Sequence, residues 1–200
     1  MTIFIIAMEC EAQAVRRALG DDVRIIVSGV GKVAAAAATQ RAISEFGATA
    51  ICNAGLAGGF GDAVRVGGAY EVARAVEYDY DLAKLNNTRI GVIDGRTSPY
   101  FDLRLASVFP SMTLATGDRF NDSSADDALI ADELGASLRD MEGAAIAHVC
   151  ELNRIPCYSL KVVSDVAGSG AMTGQYLANK KPCLDALADA TIRWTAKIPM

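Results

Sequence analysis

Short apolar runs alternate along this chain with longer segments of helical period. Residues 3–7, Ile3-Phe4-Ile5-Ile6-Ala7, are apolar at every position, the pattern of a strand covered on both faces. The spacing predicts a helix over 9–19, with Glu9 and Glu11 in its first turn and Arg16 and Arg17 near its end, each sign suited to the nearby pole of the helix dipole. A second buried strand is expected over 23–27. An alanine-rich helix follows over 32–46, then a third strand over 48–53, closed by a turn at Gly55-Leu56-Ala57-Gly58-Gly59. Strand, helix, strand, helix, strand in the first third implies an α/β domain whose mainly parallel sheet carries helices on its faces.

The middle of the chain is less regular. Strands are expected over 68–76 and 89–93. The stretch 94–109, with Gly95, Pro99 and few periodic features, reads as loop with at most a short helix. Beyond it the pattern predicts a strand over 112–116, a helix over 125–134, a short strand over 138–141, a helix over 143–152, a buried strand over 157–163 and an amphipathic closing helix over 182–196. No repeat or linker interrupts the pattern, so residues 1–200 are read as one domain.

Composition narrows the function classes. The chain is 52% hydrophobic and 22% charged, as a well-packed globular protein should be. Its formal net charge of -5 gives no general affinity for nucleic acid or an anionic membrane, so neither is expected as a partner. Cys10, Cys52, Cys150, Cys157 and Cys183 form no C-x-x-C pair, and His148 is the single histidine, so no metal site is expected. Scattered thiols in apolar stretches point to the cytoplasm. A nucleophilic role for Cys10 is disfavoured because His148 lies far along the chain within a helical pattern. The apolar run 3–8 lacks the basic start of a signal peptide and the length of a membrane span.

Polar chemistry gathers at the ends of apolar strands, where open α/β sheets place their sites. Glu11 follows the first strand, the glycine-rich turn the third, Met141-Glu142 the strand at 138–141, and Ser164-Asp165 the strand at 157–163. Each feature alone is ordinary, a helix-initiating acid or a capping residue. Their order is not. Ala7-Met8-Glu9-Cys10-Glu11, Ser28-Gly29-Val30-Gly31-Lys32-Val33-Ala34-Ala35, Asn53-Ala54-Gly55-Leu56-Ala57-Gly58-Gly59, Thr116-Gly117-Asp118-Arg119-Phe120, Met141-Glu142-Gly143-Ala144-Ala145-Ile146-Ala147 and Val163-Ser164-Asp165-Val166-Ala167 occur in succession. Together they resemble the signature segments of the methylthioadenosine/S-adenosylhomocysteine nucleosidases, within the nucleoside phosphorylase superfamily.

The resemblance implies a three-layer α/β sandwich with a mixed, mostly parallel central sheet. It also implies a homodimer that cleaves the N-glycosidic bond of 5′-substituted adenosines without metal or organic cofactor. In that pattern Glu11 matches the general base that activates water, and Asp165 matches the acid that protonates N7 of the purine, oriented by Ser164. Glu142 matches the carboxylate holding the ribose hydroxyls, and Met141 packs under the sugar. Phe120 matches the aromatic residue stacking on the base, Val30 a pocket-lining residue, and Leu82 a residue lining the neighbouring subunit's 5′ site. Two positions depart from the family pattern. Leu56 stands where many relatives carry a hydroxyl residue, and Lys161 where the nucleosidases commonly carry arginine. The segment 83–111 is short and lacks an expected helix, which implies a preference for small 5′ groups over homocysteine. The rivals are a phosphate-dependent phosphorylase and a non-catalytic nucleoside-binding relative. A dinucleotide site is disfavoured because Gly29-Val30-Gly31-Lys32 has neither a third glycine nor the Walker spacing.

Overall fold

The computed structural model of the chain describes residues 1–120, 126–168 and 171–199. Among the described residues eight strands and five α-helices follow in the order β1 (Thr2–Ile6), α1 (Glu9–Leu19), β2 (Ile25–Val27), α2 (Lys32–Ser44), β3 (Ala50–Gly59), β4 (Ala69–Glu77), α3 (Ala83–Asn86), β5 (Tyr100–Asp102), β6 (Ser111–Thr116), β7 (Leu138–Asp140), α4 (Gly143–Leu152), β8 (Cys157–Val166) and α5 (Met172–Thr195). The sheet runs β2-β1-β3-β7-β6-β4-β5, and β8 pairs with both β3 and β4. That second pairing closes β3, β8, β4, β6 and β7 into a ring, from which β2-β1 and β5 extend. Strand pairs β1–β2, β1–β3, β3–β8, β4–β6 and β6–β7 are parallel, while β3–β7, β4–β5 and β4–β8 are antiparallel. The expected mixed, mostly parallel sheet is therefore what forms.

Alternation along β1 shows why helices cover both faces. Ile3 and Ile5 enter a core shared with Ala35, Ala38 and Ala42 of α2 and with Ile146 and Cys150 of α4. Phe4 and Ile6 point the other way, into a core with Ala12 and Val15 of α1 and Cys183, Leu187 and Trp194 of α5. Trp194 meets Phe4 edge-on at 6.5 Å. The two faces together make the sandwich.

Several local expectations are corrected. The glycine-rich segment 55–59 is no turn. It continues β3, where Ala57 pairs with Val163 and Gly58 with Asp165 across a register shift. Residues 89–93 form a tight turn rather than a strand. Gly91 has φ +80°, its N–H donates to the Tyr80 carbonyl, and a Cβ there would meet Val76 at 2.6 Å. The helix expected at 125–134 does form, but its second half, Leu129–Glu133, is wound as a wide π turn, with Ile130 and Leu134 buried beside Phe60. Its first expected residue, Ala125, lies outside the described residues. The stretch 83–111 holds the one-turn α3 and the three-residue β5, neither of them anticipated. The closing helix begins ten residues earlier than expected, at Met172, and passes through Pro182. Among the described residues no helix is long and apolar enough to cross a membrane. All five cysteines are free thiols.

Candidate active site

The C-terminal ends of β1, β3, β7 and β8 open onto a cavity of about 370 Å³. Its walls include Met8 and Glu11 from the start of α1, Val30 before α2, Leu56 and Gly58 of β3, and Arg119 and Phe120 after β6. Arg139 and Asp140 of β7, Met141 and Glu142 ahead of α4, Ser164 and Asp165 of β8, and Tyr176 of α5 complete them. Segments far apart in sequence thus converge because β1, β3 and β8 run parallel and deliver their C-terminal ends to one edge. There β7, antiparallel to β3, adds Arg139 and Asp140 as the ring closes.

Glu11 is 3% exposed and fixed at both oxygens. Oε2 accepts the Met8 N–H at 3.1 Å, and Oε1 accepts the Leu56 N–H at 2.8 Å. The carboxylate therefore bridges the end of β1 to β3. A Cβ at Gly55 would stand 2.8 Å from Glu11 Oε1, so the strand needs glycine there to admit the side chain. Burial raises the Glu11 pKa above its ordinary value, although the Leu56 amide, Lys161 and the Met8 amide pull the other way.

Glu142 is buried beside Glu11. Its Oε1 accepts the Gly31 N–H at 2.8 Å, which ties α4 to the turn before α2. Burial, with Asp140 adding like charge, raises its pKa from 4.5 to about 7. Beneath these two lies a buried ion pair, Lys161 Nζ to Asp140 Oδ2 at 2.8 Å. Burial alone would lower the Lys161 pKa. Asp140, then Glu142 and Glu11, more than offset that, and the ammonium is held above its ordinary value. Asp140 also accepts the Thr116 hydroxyl at 2.6 Å and the Gly143 N–H at 2.9 Å, so it caps α4 from below.

On the opposite side Asp165 is 3% exposed, and its Oδ1 accepts the Ser164 hydroxyl at 2.7 Å. Its Oδ2 would lie 3.0 Å from a Cβ at Gly58, so β3 needs a second glycine to admit a second carboxylate. The end of β8 is clamped by α5. Gln175 exchanges two hydrogen bonds of 3.1 Å with the Val166 backbone, and Asn179 donates to the Ser164 carbonyl at 2.9 Å. Phe120, half exposed at the rim, meets the Tyr176 ring edge-on at 5.8 Å.

The structure gathers Glu11, Val30, Leu56, Phe120, Met141, Glu142, Ser164 and Asp165 around this single cavity. Lys161 lies behind the wall and acts on it through Asp140. Leu82 sits outside it, half-buried ahead of α3. His148 is also remote, stacked on Phe101 at 4.6 Å with Nδ1 3.2 Å from Glu77. Sequence reasoning missed Arg139, Asp140 and Tyr176. A usable signal existed for Tyr176. Met172, Tyr176, Asn179, Cys183, Leu187, Ala190 and Trp194 recur at spacings of three and four straight through Pro182.

Such a site can perform acid–base chemistry on a small polar molecule held between apolar walls. The phosphorylase superfamily model matches residues 11–196. The aminodeoxyfutalosine nucleosidase of Campylobacter jejuni is 29% identical over 156 residues, 72% of this chain and 68% of its own. The 5′-methylthioadenosine/S-adenosylhomocysteine nucleosidase of Colwellia psychrerythraea is 32% identical over 168 residues, 74% of this chain and 69% of its own. In fold, the crystal structure of the Helicobacter pylori nucleosidase of the same name, complexed with a substituted pyrrolidinol, superposes with a TM-score of 0.90 over 99% of both chains at 21% identity. The chain belongs to the phosphorylase superfamily and, within it, to the family of the 5′-methylthioadenosine/S-adenosylhomocysteine nucleosidases.

Proposed function

We propose that the protein is an N-glycosyl hydrolase that releases adenine from 5′-substituted adenosines such as methylthioadenosine, S-adenosylhomocysteine and 5′-deoxyadenosine. The observation that carries this reading is the convergence of Glu11, Glu142 and Asp165 on one largely apolar cavity. Cleavage passes through an oxocarbenium-like sugar and needs a group on each side of the bond. Glu11 takes the proton of the attacking water, and its raised pKa makes it a stronger base than an exposed carboxylate. Asp165, held by Ser164, protonates N7 of the departing base. Glu142 accepts the ribose hydroxyls in charge-assisted hydrogen bonds. Met141 and Val30 enclose the sugar, Phe120 stacks on the base, and Leu56 presents an apolar wall beside the water. Lys161 sets the potential under both glutamates.

The protein acts in this reading as a single-domain cytoplasmic homodimer. Leu82, half-buried before α3, and the exposed Val33 and Leu85 offer apolar surface for the second copy, whose 5′ site Leu82 lines. With only the single turn of α3 between β4 and β5, methylthioadenosine or 5′-deoxyadenosine is preferred over S-adenosylhomocysteine. Incubation with these nucleosides, with and without phosphate, tests the whole reading. Adenine and free sugar are expected at equal rates in both. Sugar 1-phosphate products would assign the activity to a phosphorylase instead, and Asp165→Asn should lower turnover at least about a hundredfold.

A further inference from the structure

Arg139 is 6% exposed, lines the same cavity and has no part in the chemistry above. Its position follows from strand register. Gly58 of β3 pairs with Arg139 of β7 on one side and with Asp165 of β8 on the other. Directly paired residues project from the same face of a sheet, so guanidinium and carboxylate flank Gly58. The missing side chain leaves a slot between them. A Cβ in it would stand 3.0 Å from Asp165 Oδ2 and 3.8 Å from Arg139 Nε. The guanidinium is held by the Met172 sulfur, 3.2 Å from Nη2, and lies 5.3 Å from the centre of the Phe60 ring.

We infer that Arg139 fits this site to 6-oxopurines, so that the enzyme also releases a 6-oxopurine base from 5′-substituted inosines. The inference rests on the reading of Asp165 as the residue facing N7. On a purine, N7 and the substituent at C6 share one edge. Arg139, across the Gly58 slot from Asp165 in the same row, is thereby assigned to the C6 substituent. An amino group at C6 donates hydrogen bonds, and Asp165 can accept one beside N7. A carbonyl at C6 only accepts, and Asp165, whose one proton is committed to N7, has no donor left for it. Arginine supplies what that carbonyl lacks, a permanent cation with a fork of donors. The guanidinium also favours the bond-breaking step. The N9–C1′ bond breaks with its electron pair passing to the base, where negative charge spreads onto O6. Water oxygen bonds to C1′, its proton passes to Glu11, and Asp165 returns a proton at N7.

The experiment compares matched substrates, 5′-deoxyadenosine and 5′-deoxyinosine, with the wild-type protein and with Arg139→Met. Methionine keeps an apolar stem against Phe60 and removes every donor. The quantity read is the ratio of kcat/KM for inosine over adenosine substrate, which cancels any loss common to both. A wild-type ratio above about 0.1, falling roughly ten- to a hundredfold in Arg139→Met, is the expected result for loss of a hydrogen bond to a charged group. If the adenosine is cleaved but the ratio is unchanged in the variant, the role of Arg139 is overturned and the nucleosidase reading stands. If neither nucleoside is cleaved, the nucleosidase reading falls and calorimetry with hypoxanthine decides the remainder. Binding to the wild type at least tenfold tighter than to Arg139→Met upholds the inference, and equal binding overturns it.

Discussion

Glu142 makes the unliganded protein less stable as pH rises through neutrality. In the unfolded chain this carboxyl titrates near 4.5, whereas in the fold burial and Asp140 raise it to about 7. Between those values the folded protein retains a proton that the unfolded chain has released. The stabilising contribution is thus complete below pH 4.5 and is lost as pH rises through about 7. One pKa unit is worth about 1.36 kcal/mol, so the loss amounts to about 3 kcal/mol. For a chain of 200 residues that corresponds to about 6–12 °C in Tm between pH 5 and pH 8. Glu142→Gln keeps an oxygen for the Gly31 N–H and carries no titrating proton. It should match the wild type near pH 5 and exceed it at pH 8. A slope of the same sign remains in the variant, because burial raises the Glu11 pKa as well. Thermal unfolding of both proteins without ligand, across this pH range, isolates the difference. Parallel curves, or a wild type that gains stability toward pH 8, would refute the assignment. If Glu142 accepts the ribose hydroxyls as proposed, binding favours the ionised carboxylate, so KM should also fall as pH rises through 7 in the wild type only.

Three other perturbations follow from the geometry. Gly55→Ala places a Cβ 2.8 Å from Glu11 Oε1 within an extended strand, so the fold should persist while displacement of the carboxylate lowers kcat roughly a hundredfold; a variant with near-normal kcat would contradict the tight fit. Glu71, 1% exposed, accepts the N–H groups of Ala106, Ser107, Val108 and Phe109, so Glu71→Gln should cost about 2–4 kcal/mol in urea unfolding. Activity per folded molecule should not change, and a loss of turnover without a loss of stability would be the wrong result. Lys161→Met strands Asp140 without its partner at 2.8 Å and should destabilise by about 3–5 kcal/mol, to be read from denaturant midpoints against a milder Lys161→Arg.

What was legible in the sequence follows the strength of local signals. The boundaries of α1 and α4 were readable because an acid-rich first turn and an apolar stripe mark the first, and a run of small and apolar residues, buried from Gly143 to Ala147, marks the second. The C-terminal strand ends carrying Glu11, Glu142 and Asp165 were readable from apolar runs cut off by carboxylates. Gly55 to Gly59 misled because glycine is ordinarily punctuation. Here Gly55 and Gly58 are strand residues whose missing side chains admit Glu11 and Asp165, a tertiary requirement that local pattern cannot express. Pro182 misled in the same way. The burial of Cys183, Leu187 and Trp194 on one face carries α5 through a residue that lacks an amide proton. Arg139 and Asp140 escaped because a charged pair inside Leu138-Arg139-Asp140 looks like the exposed end of a strand. Closure of the sheet by β8 buries both.

The electrostatics of the cavity also bear on which nucleophile it suits, in a superfamily named for phosphorolysis. A phosphate dianion would need cations free to turn toward it. Lys161, the most deeply buried cation at the site, is bound to Asp140 at 2.8 Å, and Asp140 is in turn committed to capping α4. Arg119 at the rim pairs with Asp126 at 3.0 Å. Arg139 lies across Gly58 from Asp165, on the side assigned to the base rather than beside Glu11. Next to the Glu11 position stand Glu142, whose carboxyl is already pushed up to about 7 by its surroundings, and the apolar side chain of Leu56. A dianion entering there would meet like charge with little to offset it. Neutral water meets no such repulsion, and its proton has a raised-pKa carboxylate waiting at Glu11. The arrangement that raises the pKa of both glutamates is therefore the one that favours hydrolysis, and turnover should be indifferent to added phosphate beyond its general effect on ionic strength.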